Sequence, residues 1–306
     1  MDDPMRRDKV LDKAGKAKVR HGSKDAKQSL NTGEKPELQN YINRIICGDA
    51  ALVLAKIPSE SVDLIVTSPP YNFGHAYAQD THDDTHEWNE YFDQLLRVWT
   101  ECERILKPGG RIAVNIQPLF SDYIPTHHIV SGQLRKLGLL WKAEFLWEKN
   151  NYNAKYTAWG SWKSPSMPYI KYTWEFIEVY DKGTHKKTGR REDIDISGDE
   201  FKEWVIGRWK IVPEHHMKDF DHPAMFPEEL PRRLIKLFSY KNDIVLDPFN
   251  GVGTTTLVAG ALGRRFIGID ISLQYCEMAL QRMRMIPGME IPPSDYPQPA
   301  LIIHSE

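Results

Sequence analysis

Leu246-Asp247-Pro248-Phe249-Asn250-Gly251-Val252-Gly253-Thr254-Thr255 continues an apolar run that begins at Asp243-Ile244-Val245. An apolar run, a glycine turn and a segment rich in Ala and Leu read as strand, turn and helix. Arg265-Phe266-Ile267-Gly268-Ile269-Asp270-Ile271 supplies the next strand, with an acid near its end. The resulting βαβ unit argues for a mostly parallel sheet covered by helices on both faces. Gly251 and Gly253 let a ligand approach the backbone, and the helix beyond them offers unpaired N–H groups. Asp270 is placed to bind ribose hydroxyls. Thr256 stands where a dinucleotide fingerprint has its third glycine, and no Gly-Lys-Ser/Thr follows, so this is not a phosphate loop. Asp247 at the start of the turn would repel a pyrophosphate and suits a ligand carrying an ammonium group.

The second decisive stretch lies in the first half of the chain. Val62-Asp63-Leu64-Ile65-Val66 reads as a short buried strand, and Thr67-Ser68-Pro69-Pro70-Tyr71-Asn72 ends it. Two prolines hold the backbone extended and withdraw two N–H donors. The result is a rigid corner at a strand's carboxyl end, where open α/β sheets place their ligands. It offers a hydroxyl, carbonyl acceptors and the Tyr71 ring. Asn72 to Glu90 is a polar stretch whose His75, His82 and His86 match no metal-ligand spacing; it reads as a lid over Tyr71.

Between the two stretches the alternation continues. Tyr41 to Ile46 reads as a first strand, ending at Cys47-Gly48-Asp49-Ala50, with a helix following through Lys56. Tyr91, Leu95, Val98, Cys102 and Ile105 share one face of a helix stopped by Lys107-Pro108-Gly109-Gly110. Arg111 to Ile116 and Lys142 to Trp147 read as strands around a helix over Ile129 to Leu137, and a further helix begins near Glu228.

Residues 149–218 change character, with aromatics interleaved among Lys155, Lys163 and Lys171 and a basic cluster Lys186-Lys187-Thr188-Gly189-Arg190-Arg191. Basic groups match phosphates and flat rings contact bases, so Lys155, Lys163, Lys186, Lys187, Arg190 and Arg191 are candidate nucleic-acid contacts. Tyr172 to Tyr180 nevertheless alternates as an ordinary half-buried strand, which assigns most of the aromatics to packing. Residues 1–37 read as a disordered basic tail, and 287–306 as a proline-rich tail.

Composition sets the outer bounds. The 306 residues, 41% hydrophobic and 27% charged, describe a globular chain able to bury a full core. No apolar run is long enough to span a membrane and no signal peptide is evident, so a cytoplasmic location is the expectation. Cys47, Cys102 and Cys276 are too few and too scattered for a disulfide framework or a zinc motif. The net charge of -2 is compatible with a basic face on an acidic remainder.

Three motifs in this order, the Ser68 corner, His222-Pro223-Ala224-Met225-Phe226-Pro227 and the Asp247 turn, resemble the circularly permuted (β-class) S-adenosylmethionine-dependent amino-methyltransferases of DNA. The resemblance spans about Ile45 to Met283. It implies a Rossmann-like mixed seven-stranded sheet, with 38–148 as the catalytic half, 149–218 as a small target-recognition insertion and 219–286 as the cofactor-binding half. It implies S-adenosylmethionine as cofactor, double-stranded DNA as substrate, often a homodimer, and a restriction endonuclease acting separately. By resemblance, Asp247, Pro248, Phe249, Gly251, Gly253 and Thr254 line the methionine end, Asp270 holds the ribose, and Asp49 and Ala50 contact the adenine side. His222, Pro223 and Phe226 close over the methionine moiety. Ser68, Pro69, Pro70 and Tyr71 form the catalytic corner, with Tyr71 stacking on a flipped base. Family members with Ser at the first motif position mostly methylate cytosine N4, those with Asp or Asn adenine N6; Ser68 points to cytosine, with adenine as the alternative. No cysteine follows a proline, which argues against carbon-5 chemistry. A nicotinamide-dependent oxidoreductase on the Gly251/Gly253 turn is the alternative from another class, and it leaves the Pro-Pro corner unexplained. A non-catalytic DNA-binding relative is a third.

Overall fold

The structure is a computed structural model that describes residues 37–70, 87–118, 123–149, 161, 163–168, 170, 172–213 and 225–286. Both terminal tails, Tyr71, the 75–86 histidines, Lys155, His222 and Pro223 lie outside the described residues.

The strands are β1 (Arg44–Cys47), β2 (Val62–Thr67), β3 (Leu106–Ile116), β4 (Leu140–Glu148), β5 (Trp174–Asp181), β6 (Arg208–Lys210), β7 (Ile244–Asp247) and β8 (Arg265–Asp270). The helices are α1 (Ala50–Leu54), α2 (Trp88–Ile105), α3 (Thr126–Lys136), α4 (Gly198–Trp204), α5 (Glu229–Phe238), α6 (Thr254–Ala261) and α7 (Leu273–Arg284). One sheet runs β1-β8-β7-β2-β3-β5-β4-β6, parallel except for β5, which is antiparallel to β3 and β4. The expected alternation, with helices on both faces, is therefore present.

Each face has its own core. Leu54, Tyr91, Leu95, Trp99 and Leu134 from α1, α2 and α3 pack on Ile65, Ile112 and Leu246. On the other face Trp204, Leu234, Leu257 and Cys276, from α4 to α7, pack on Val66, Ala113 and Val245. All five residues expected on the inner face of α2 are buried. Strands β2 and β7 are buried along their whole length, as the apolar runs Leu64–Val66 and Ile244–Leu246 require.

The 149–218 segment departs from expectation. It supplies β5 in the interior of the sheet, α4, and an eighth strand, β6, where seven strands were anticipated. Strand β6 pairs with β4 and is anchored by Trp209, which is buried between exposed Arg208 and Lys210 with its ring 4.4 Å from Phe145. Residues 174–181 and 208–210 of the segment thus belong to the main sheet.

Within the basic cluster, Lys187 departs from the expected polymer contact, while Lys186, Arg190 and Arg191 are exposed. The Lys187 ammonium ion-pairs with Asp63 at 2.9 Å and Asp243 at 3.2 Å, with only 6% of its side chain exposed. Lys107 adds a 2.7 Å contact to Asp63. These acids stand at the starts of β2 and β7, about 13 Å along the strands from their carboxyl ends. Lys187 is therefore a buried structural ion, and Lys186, Arg190 and Arg191 sit with it at the end of the sheet away from Ser68. Arg190 is engaged by Asp193 at 2.7 Å. Lys187→Met leaves Asp243 without its cationic partner and Asp63 with Lys107 alone, and is expected to lower the unfolding free energy by about 3 kcal/mol. Denaturant titration checks this, and DNA affinity measured on the folded variant is expected to be unchanged.

Candidate functional site

The carboxyl ends of β2, β7 and β8 bring the two decisive stretches together. The chain leaves β7 for α6 on one face and leaves β2 for α2 on the other, so their junction is a topological switch point with a crevice above it. Asp247 ends β7 and is 2% exposed. Its Oδ1 accepts the Thr67 hydroxyl at 2.6 Å and the Phe249 N–H at 3.0 Å. Asp270 ends β8 and accepts the Gly251 N–H at 2.7 Å and the Ser272 N–H at 2.9 Å. Burial pushes both carboxyls up to about 6, and these hydrogen bonds only partly oppose it. Among the described residues neither acid has a cationic side chain as partner. Two such acids beside a helix amino terminus fit a ligand that brings a positive charge and hydroxyl donors.

The glycine turn is built as expected in one respect and differently in another. Gly251 and Gly253 both take positive φ, 48° and 82°. A Cβ at Gly253 would lie 2.7 Å from Ala279 Cβ, so this glycine serves the close packing of α6 on α7. The Thr254 hydroxyl accepts from Arg282 at 3.1 Å, which turns that side chain to α7. Phe249 packs edge-on against Trp99, centroids 5.9 Å apart, as part of the core beneath the site. Arg282 also donates to Val252 O at 2.8 Å and to Glu228 at 2.9 Å, strapping the turn to the Met225–Glu228 segment that carries Phe226. Sequence reading missed Arg282 and Thr67. A lone arginine on α7 carries no local signal, and the Thr67–Asp247 bond spans 180 positions.

The remaining pieces converge on the same edge. Gly48 N–H donates to Asp270 O at 2.9 Å, which ties the Cys47-to-Ala50 turn to the end of β8. Asp49 caps α1 through Leu52 N–H at 2.9 Å. Ser68, Pro69 and Pro70 follow Thr67 directly, and the Tyr91 hydroxyl donates to Pro70 O at 2.6 Å, pinning the corner to α2. Among the candidate polymer contacts, Lys163 is exposed.

The family model N6_N4_Mtase, "DNA methylase", matches residues 62–281. The DNA adenine methyltransferase YhdJ of Escherichia coli (strain K12) is 35% identical over 272 residues, 83% of this chain and 87% of the relative. The Type II methyltransferase M.BglII of Bacillus subtilis is 31% identical over 255 residues, 79% of this chain and 69% of the relative. Among solved structures, TTHA0409 from Thermus thermophilus, complexed with S-adenosyl-L-methionine, is similar at TM-score 0.64 and 30% identity, over 80% of this chain and 96% of that one. The cytosine-N4-specific PvuII DNA methyltransferase, at TM-score 0.60 and 21% identity over 80% and 87% of the two chains, shares the fold.

Proposed function

The chain belongs to the N6/N4 DNA methylase family, and we propose that it methylates the exocyclic N4 amine of cytosine in double-stranded DNA. It is a DNA methyltransferase, with S-adenosylmethionine as its cofactor. The family sets aside the oxidoreductase alternative.

One observation carries the reading: the 2.6 Å bond from Thr67 to Asp247 joins the Ser68 corner to the acid of the glycine turn. The amine site and the methyl-donor site therefore occupy adjoining strand ends. When bound, S-adenosylmethionine supplies a methyl group activated by a sulfonium. Asp247 and the turn from Phe249 to Gly253 face its charged methionine end, Asp270 faces the ribose hydroxyls, and Asp49 and Ala50 border the adenine. A base amine is a weak nucleophile because its lone pair is delocalised into the ring. The Ser68 hydroxyl and the Pro69 carbonyl accept its two N–H bonds, so the nitrogen becomes tetrahedral and its lone pair points at the methyl. Tyr91 keeps the corner rigid through Pro70. Positioning and electrostatics then do most of the work, and the methylated amine gives up one proton to solvent without a strong base. Tyr71 stacks on the extruded base. A separately acting restriction endonuclease fits the same reading.

Ser68 supports cytosine. A second reading, adenine N6, is favoured by the 35% identity to a DNA adenine methyltransferase. Transfer of labelled methyl to unmethylated DNA, followed by nucleoside mass spectrometry, separates them. N4-methylcytosine is expected. N6-methyladenine would overturn the base and keep the reaction class, whereas no methylation with cofactor binding intact would overturn both.

A further inference from the structure

Asp247, 2% exposed at the end of β7, is held by hydroxyls and a backbone N–H, with no cationic side chain as partner among the described residues. Thr67, wholly buried at the end of β2, donates its hydroxyl to Oδ1 at 2.6 Å. The Phe249 N–H donates to the same oxygen at 3.0 Å. Thr255, equally buried in the first turn of α6, offers the carboxylate a second hydroxyl, whose hydrogen is shared with Val66 O at 3.3 Å. Two further titratable groups face the acid, and neither favours its charge. Asp270 of β8 repels it, and Cys102 of α2 is a thiol that burial keeps protonated. Burial pushes the Asp247 carboxyl up to about 6, while the three hydrogen bonds pull it back, Thr67 the most.

Thr67 differs from the other two donors in its origin. Phe249 and Thr255 belong to the glycine turn and its helix, whereas Thr67 lies 180 positions earlier and directly precedes Ser68. The strand that presents the amine acceptor therefore also completes the acid that faces the methyl donor. A hydroxyl at this distance stabilises the carboxylate over the carboxylic acid. It also fixes the rotation of the carboxyl group, because Oδ1 is held from β2 and from the turn at once.

We propose that Thr67 is a positioning residue for the cofactor: its hydroxyl keeps Asp247 ionised and oriented, so that the acid meets the positive end of S-adenosylmethionine as a carboxylate. This rests on the S-adenosylmethionine reading above. The catalytic half of the chain thereby sets the charge state of the cofactor half.

The test is calorimetry of S-adenosylmethionine on the full chain between about pH 5.5 and 8.5. Thr67→Val replaces the hydroxyl with a methyl group of similar size. Losing a hydrogen bond to a charged group moves the Asp247 ionisation up by about one pH unit. The variant's Kd is expected to exceed that of wild type about fivefold at pH 6, and by under about twofold at pH 8.5, where Asp247 is ionised in both proteins. Thr67→Ser keeps the hydroxyl and should track wild type within about twofold throughout. Thr255→Val removes the weaker donor and should shift the profile the same way by less. It carries the test if Thr67→Val does not fold.

The protein without cofactor gives a second readout. In wild type the contribution of Asp247 to stability is lost as pH rises from 3.8 to about 6. In Thr67→Val that loss should continue to about pH 7, read by denaturant titration against wild type. A Kd ratio that is equal at every pH marks a packing defect and overturns the proposal, as does a Kd unchanged at every pH. Wild type that binds no S-adenosylmethionine overturns the cofactor reading with it.

Discussion

Asp247→Asn is expected to make the protein more stable and nearly unable to hold its cofactor. The Asp247 carboxyl is pushed from 3.8 up to about 6 by burial. Between those values the folded protein keeps a proton that the unfolded chain has released, so the group's contribution to stability falls as pH rises through that window. Above pH 6 the whole destabilisation is present. Asparagine keeps Oδ1 as the acceptor for Thr67 and Phe249 and removes the charge. At pH 7.5 the gain in unfolding free energy is about 2 kcal/mol, measurable by denaturant titration. The cost falls on binding. Loss of a buried charge partner for the ligand's positive end is worth about a 1000-fold drop in affinity, read by calorimetry. The same physics sets the pH profile of wild type. As pH falls below 6, cofactor affinity weakens by up to about tenfold per pH unit for each acid that must be ionised, Asp247 and Asp270. In Asp247→Asn the slope contributed by one acid disappears. A variant less stable than wild type at pH 7.5 would mean that the Asp247 charge is compensated within the apo protein.

The stretches that give Asp247 and Ser68 their places were readable because their signals are local. A strand buried on both faces shows an unbroken apolar run, a proline pair ends it, and a helix face repeats at the spacing seen in α2. What escaped is set by pairs far apart in the chain. Lys187 belongs to a basic string that invites a polymer, yet its partners Asp63 and Asp243 lie far from it in sequence and decide its role. The alternation from Tyr172 to Tyr180 announced a strand, but nothing local says that β5 inserts between β3 and β4. Nothing local marks Trp209 as a strand residue either; its packing on Phe145 and the pairing of β6 with β4 join elements far apart in the chain. Helix α7 is a different case. Tyr275, Cys276, Ala279, Leu280 and Met283 carry a helical repeat, and they are the buried face of the helix against which the glycine turn closes.

Ser68→Ala is expected to lower kcat by about 100- to 1000-fold, the usual effect of deleting one preorganised hydrogen bond at a reacting centre. The change removes one oxygen from a corner whose backbone is otherwise held. Pro69 and Pro70 fix their own dihedrals, Tyr91 anchors the Pro70 carbonyl, and Thr67 stays bonded to Asp247. The glycine turn and both acids are untouched, so S-adenosylmethionine affinity is expected to match wild type in calorimetry. The comparison with Asp247→Asn is therefore diagnostic. One variant loses the methyl donor and the other loses the acceptor for the amine, although Thr67, the residue before Ser68, is bonded to Asp247. Single-turnover methyl transfer with saturating cofactor and DNA reads the chemical step directly. A Ser68→Ala rate within about threefold of wild type would assign amine recognition to the Pro69 carbonyl and its surroundings.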